Sequence, residues 1–165
     1  MNRVWRVTKR RHASAAYSGE GARLAGGRWN HPGIPVAYAS ESQALAGLEY
    51  LVNSAPTLLP PGLAIVRADI PDDVAIDIFD RSRLPRNWRD YDPSPEELQD
   101  IGDAWLLAMN AAVLKVPSAV VPAEHNFLVN PAHPDLKKIR IGSPETFIFD
   151  ARLPRPGVKD HGGGM

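Results

Sequence analysis

Residues 26–53 read GGRWNHPGIPVAYASESQALAGLEYLVN. Two glycines lead into Arg28, Trp29 and Asn30, and a Pro-Gly pair at 32–33 marks a turn. The segment 35–40 (PVAYAS) is apolar and β-prone, with Tyr38 its polar-tipped aromatic. Ser40 stands three residues before Gln43, the spacing of a capping box, so a helix is expected over about 41–53. At about 100° per residue, Ala44, Leu45, Leu48, Leu51 and Val52 share one arc, which is expected to be the buried face. Glu49 falls at the edge of that arc, between core and water. A turn, a strand and a helix within one short segment call for a fold that mixes both element types.

Working outward, 4–7 (VWRV), 63–70 (LAIVRADI) and 75–79 (AIDIF) read as strands. Residues 12–27 show no clean period and read as loop or irregular helix. The strongest helical pattern is 94–115: Ser94 with Glu97 has capping-box spacing, Pro95 suits the first helical position, and Leu98, Ile101, Trp105, Ala108, Met109 and Ala112 recur at helical intervals. Four more short strands are expected at 119–122, 126–130, 138–142 and 145–150. Strands follow one another at the end rather than alternating with helices. This predicts an α+β domain, with mixed short-stranded sheets flanked by helices.

The chain has 165 residues, enough for one domain with a real core. Lys+Arg and Asp+Glu both number 19, giving zero formal net charge. That argues against a protein whose main task is gripping nucleic acid; the basic run at 9–12 (KRRH) reads as a solvated loop. There is no cysteine, which excludes disulfides, thiolate nucleophiles and Cys-ligated metals and fits a cytoplasmic setting. No apolar run reaches the roughly 18 residues of a membrane span, and the N-terminus lacks the apolar stretch of a secretion signal. The sixteen prolines predict many fixed turns. Residues 154–165 are Gly-rich and are expected to form a disordered tail beyond a domain spanning 1–153.

Phosphate loops, HExxH and GxSxG motifs are absent. The five histidines fit no metal-ligand spacing, and no metal is expected. What remains is a set of single polar residues in apolar company. Arg28 follows Gly26 and Gly27, which let the backbone approach a ligand closely, and an arginine there offers a forked donor for phosphate or carboxylate. Glu49, half-buried, must find a partner or serve chemistry. Ser118, after Pro117, has a hydroxyl that bonds locally or faces a pocket, and Asn126 and Asn130 bracket an apolar strand. Taken singly, Arg28 reads equally well as an arginine paired to an acid and Glu49 as an ordinary boundary glutamate, while Tyr38 reads more readily as a core tyrosine with a satisfied hydroxyl.

Together, GGRWNHPG with VAYAS, ALAGLE, and VPSAVVPAEHNFLVNPAHPD in this order resemble the RES-domain toxins of bacterial RES–Xre type II toxin–antitoxin systems. The resemblance runs from Val4 to Phe149. It implies a fold like that of diphtheria-type ADP-ribosyltransferases and a protein that consumes NAD as substrate, by hydrolysis, by phosphorolysis or by transfer of ADP-ribose to a protein. Carried over by position, Arg28, Glu49 and Ser118 are the family's named residues and Tyr38 its pocket tyrosine; Arg6, the segment 18–22 (SGEGA) and Asn126 also fit. On this reading Glu49, Arg28 and Tyr38 are catalytic: Glu49 meets the developing charge, Arg28 grips the dinucleotide and Tyr38 shapes the nicotinamide slot, while Gly27 makes room, Ser118 hydrogen-bonds ribose or amide, and Asn126 and Arg6 also bind the NAD. The implied partner is an Xre-type antitoxin covering the active site of a toxin homodimer within a hetero-oligomer, with no direct nucleic-acid or membrane contact by the toxin.

Overall fold

The computed structural model describes residues 1–54, 61–91 and 93–153. Eight strands form one mixed sheet: β1 (Asn2–Lys9), β2 (Ala37–Ser40), β3 (Leu63–Ile70), β4 (Ile76–Ile78), β5 (Val113–Pro117), β6 (His125–Val129), β7 (Arg140–Ile141) and β8 (Glu145–Phe147). Its order is β4-β5-β6-β2-β1-β3-β7, and β8 shares the outer edge of β3 with β7. Pairing is antiparallel throughout except between β4 and β5. Among the described residues three α-helices, α1 (Glu20–Ala25), α2 (Gln43–Asn53) and α3 (Glu96–Ala108), complete the α+β domain. No helix among the described residues is long and apolar enough to cross a membrane. The tail expected at 154–165 lies outside the described residues.

The sheet is buried on both faces. In β3, Ala64, Val66, Ala68 and Ile70 join one core cluster with Val4, Val113, Phe127 and Val129, while Leu63 and Ile65 point the other way with Val7 and Ala46 of α2. A strand covered on both sides reads as a continuous apolar run, as LAIVRADI does. On the second face α3 contributes Leu98 and Leu106 to a cluster with Trp29, Phe79, Leu114, Val116 and Leu128. β1 pairs with β3 along its full length but with β2 only at Trp5–Ser40. Beside that single pair, the Arg6 Nη1 donates to the Tyr38 carbonyl (2.7 Å).

Four expectations are corrected. The 94–115 helix ends at Ala108; Met109 adopts a left-handed backbone (φ 57°), and 113–117 is strand β5. Ala112 kept helical spacing by coincidence, and the VLKV run, with its two β-branched valines, pairs between β4 and β6 because tertiary pairing outweighs local periodicity. Residues 119–122 form a turn, not a strand, since their amides serve Ser118. Neither capping box forms: α2 is capped by Ser42, whose Oγ accepts from Leu45 N, and Pro95 precedes α3 with no side-chain cap. The buried face of α2 is Leu45, Ala46 and Gly47, whereas Ala44, Leu48 and Val52 are exposed. The Phe147 ring lies 3.1 Å from where a Cβ on Gly47 would stand, so the helix docks through Ala46 and Gly47 beside Leu45 rather than through Leu48 and Val52.

The turn that carries Arg28 is clamped to α3. Gln99 Nε2 donates to the carbonyls of Gly27 (2.9 Å) and Asn30 (3.3 Å). His31 N donates to Asp103 Oδ1 (3.1 Å), and His31 Nδ1 lies 2.7 Å from Asp103 Oδ2. The bond to Asp103 holds the His31 imidazole above the ordinary histidine range. A group raised on folding adds stability that is complete below its unfolded value and lost as pH rises through the folded one. The Tm gap between wild type and Asp103→Asn is therefore expected to be widest below about pH 6 and to narrow as pH rises past the raised value. Thermal unfolding in a pH series checks this; a gap that widens with pH contradicts it.

Candidate active site

Glu49 projects from the second half of α2, beside the strands β2 and β6. Its Oε1 accepts two hydrogen bonds, from Ser118 Oγ (2.7 Å) and from Asn126 Nδ2 (2.5 Å). Asn126 is itself oriented by Ser40 Oγ, which donates to its Oδ1 (2.8 Å). Ser118 is oriented by the turn after β5, whose Val120 and Val121 amides donate to its Oγ (3.1 and 3.0 Å). Bonds to a charged acceptor are short and strong. Three segments, the turn after β5, β6 and, through Asn126, β2, thus hold one carboxylate oxygen of α2, while Oε2 makes no hydrogen bond among the described residues.

That carboxylate lines a cleft of about 950 Å³ between β1, β2, α2, the Gly26–Gly27 turn and the segment around Arg89. Among the described residues five charged side chains line it: Arg6, Lys9, Arg28 and Arg89 against Glu49. A chain of zero net charge has therefore concentrated cations here. None of the four lies within 4 Å of a carboxylate oxygen among the described residues. Arg6 Nε is buried without a hydrogen-bond partner there. Burial pushes the Arg6 guanidinium below the usual arginine range, partly offset by Tyr17 and Tyr38, yet arginine stays charged in proteins. A buried cation without an anion is costly. The arrangement suits an anionic ligand.

Arg28 is half-buried. Burial lowers its proton affinity, and the nearby Glu49 carboxylate works in the opposite direction. Its Nη1 donates to the carbonyls of Trp88 and Asp90, each at 2.7 Å, leaving Nε and Nη2 for the cleft. The Tyr38 hydroxyl is fully engaged: it donates to Asn30 Oδ1 (2.7 Å) and accepts from Trp29 N (3.0 Å). Burial holds its phenol protonated well above the ordinary range. Tyr38 therefore lines the cleft with its body while its tip fixes the arginine turn. Gly27 makes that contact possible, since a Cβ would stand 2.7 Å from the Tyr38 hydroxyl.

The structure brings Arg6, Gly27, Arg28, Tyr38, Glu49 and Asn126 to the cleft wall. Ser118 is placed differently from the expectation that it bonds ribose or amide. It is fully buried, and its hydroxyl is used up by Glu49 and two amides. Ser118→Ala would strand the two amides and free one side of Glu49. It is expected to cost about 1–3 kcal/mol of stability and to weaken any reaction that needs the carboxylate, measured by urea unfolding beside an activity assay. Stability equal to wild type would contradict the buried network.

Ser40, Asn30, Gln99 and Arg89 were not legible as site residues. Ser40 carried a capping signal instead. Gln99 is one polar position on an amphipathic helix. Arg89 lies in a Pro- and Asp-rich stretch without periodicity. Among the described residues, no group of three His, Asp or Glu is placed to hold a metal ion.

Comparison with known proteins adds a family and a fold. The family model described as "RES domain" matches residues 3–150. A protein of Sphingobium sp. (strain YBL2), named "Prs ADP-ribosylating toxin", is 36% identical over 155 residues, covering 92% of this chain and 96% of that protein. A "Toxin Res" of Photorhabdus laumondii is 38% identical over 151 residues, covering 91% and 96%. A chain in the crystal structure of the M. tuberculosis MbcT–MbcA toxin–antitoxin complex superposes with a TM-score of 0.68 over 87% of this chain and 82% of its own, at 20% identity, a likeness of fold.

Proposed function

From the premise that this chain belongs to the RES domain family, we propose that it is the toxin of a toxin–antitoxin pair and that it cleaves the nicotinamide–ribose bond of NAD. One observation carries the reading: a cleft-lining carboxylate anchored through Oε1, its Oε2 without a hydrogen bond, in a cleft whose four cations have no carboxylate partner among the described residues. In the proposed reaction the bond between the ribose anomeric carbon and the pyridinium nitrogen breaks. Its electron pair leaves with nicotinamide, which departs neutral. Positive charge develops on the ribose, and Glu49 Oε2 stabilises it. Water or phosphate then adds at the anomeric carbon; with water the products are ADP-ribose, nicotinamide and one proton. Because Oε1 is already bonded, little reorganisation accompanies the charge development, which is what preorganised electrostatic catalysis requires. Arg28 and Arg6 hold the pyrophosphate end, and the Tyr38 ring, placed by Asn30 and Trp29, bounds the nicotinamide slot.

The test is NAD consumption by the purified chain freed of any partner, with products identified with and without phosphate. Release of nicotinamide supports the reading, and unchanged NAD under both conditions overturns it. The name of the Sphingobium relative favours a second reading, transfer of ADP-ribose to a protein. Labelled NAD incubated with lysate separates the two: label on a discrete band supports transfer, and label confined to soluble ADP-ribose excludes it.

The proposed setting is the cytoplasm. The proposed partner is an Xre-type antitoxin that covers the cleft of a toxin homodimer, a reading encouraged by the toxin–antitoxin complex that shares the fold. Co-expression followed by measurement of complex mass tests both partner and stoichiometry.

A further inference from the structure

We propose that Arg89 is a second pyrophosphate-binding group, presented by the 85–91 segment as an arm across the cleft; this rests on the dinucleotide reading above. The arm lies between β4 and α3 and is held from both sides of Arg89. Arg28 Nη1 grips the carbonyls of Trp88 and Asp90, the residues flanking it in sequence. Trp88 packs into the core cluster of Trp29 and Phe79. The Arg89 side chain is then fixed by its own Nε, which donates to the carbonyl of Ala119 (2.9 Å), another residue lining the cleft. Its two terminal nitrogens make no hydrogen bond among the described residues, and the side chain lines the cleft.

An arginine anchored at Nε with its outer nitrogens free has already lost much of the rotamer freedom that binding would remove. Its remaining donors suit the oxygens of a phosphate. Arg89 also stands near enough to Arg28 for their charges to repel, and among the described residues Glu49 is the one carboxylate on the cleft wall. Two guanidiniums facing one space without an anion between them are stabilised by a ligand that carries two negative charges close together, as a pyrophosphate does. A neutral or monoanionic sugar gains much less from the pair.

Calorimetric titration of the full chain tests this with two ligands. ADP-ribose carries the pyrophosphate; nicotinamide riboside lacks it. Arg89→Ala is expected to weaken ADP-ribose binding about tenfold or more and to leave nicotinamide riboside binding unchanged. Arg89→Lys, a point charge without the fork, should recover only part of the loss. Equal ADP-ribose affinity in wild type and Arg89→Ala overturns the proposal. So does equal loss for both ligands, which would mark a collapsed arm, and so does the absence of ADP-ribose binding to wild type. Arg89-dependent binding without nicotinamide release from NAD would leave the arm standing and remove the cleavage reading. Normal release with Arg89-independent binding would do the reverse.

Discussion

Glu49→Gln is expected to lower nicotinamide release from NAD by about 10²–10³-fold while leaving Tm close to that of wild type. The two halves of this prediction come from the two oxygens of one side chain. Oε1 accepts from Ser118 and Asn126, and a glutamine amide oxygen of the same size accepts both. The network into Ser40 and the 118–121 turn therefore survives. At the other position a neutral NH₂ replaces the open Oε2, and the negative charge that meets the developing ribose cation is gone. Nicotinamide release followed by chromatography gives the rate, and thermal unfolding gives the control. A variant that unfolds early would make the rate uninformative, and Glu49→Asp then serves as the second probe: it keeps the charge but withdraws it by one methylene. Wild-type activity in Glu49→Gln would end the assignment of Glu49 as catalytic.

Gly102→Ala is expected to destabilise the fold by about 3 kcal/mol, lowering Tm by about 6–12 °C for a chain of this size. Helix propensity alone argues the opposite, since alanine is favoured over glycine inside a helix by about 1 kcal/mol. The deciding fact is proximity. A Cβ on Gly102 would stand 1.8 Å from the Trp29 carbonyl oxygen and 2.7 Å from its carbon, both backbone atoms that have no rotamer to escape into. α3 must move away or the Trp29 segment must yield, and that segment carries Arg28. The variant is thus expected to lose NAD cleavage along with stability. Gly21→Ala in α1 is the control, because nothing lies within 4 Å of its Cβ position; there the propensity term acts alone and stability should rise slightly. Scanning calorimetry of both variants decides it: equal, small effects of the same sign would mean that α3 does not press on Trp29.

α2 and α3 illustrate the two ways in which sequence pattern and structure part. For α2 the helix was legible, but its buried side was not. Leucines at 48 and 51 and valine at 52 outweighed Ala46 and Gly47 in any hydrophobic count. The helix nonetheless buries Ala46 and Gly47 beside Leu45, because close approach to Phe147 leaves no room for a side chain at Gly47. For α3 the period ran past the true end, since alanines at 108, 111 and 112 suit helix and buried strand approach alike. Only the pairing of 113–117 between β4 and β6 separates the two.

By itself the sequence determined that this is an α+β domain and marked Arg28, Tyr38 and Glu49 as polar residues out of place, because turn chemistry, strand alternation and helical period are local properties of a chain. It also carried the family resemblance, whose motifs are contiguous. The tertiary structure decided what those residues do to one another. Ser40, Glu49, Ser118 and Asn126 are up to 86 positions apart, yet they meet in one hydrogen-bonded set because β2 lies beside β6 and α2 packs against β1 and β2. Whether Ser118 faces a ligand or a carboxylate, and whether Arg89 belongs to the site at all, depends on where loops cross in space. No spacing along the chain encodes those crossings.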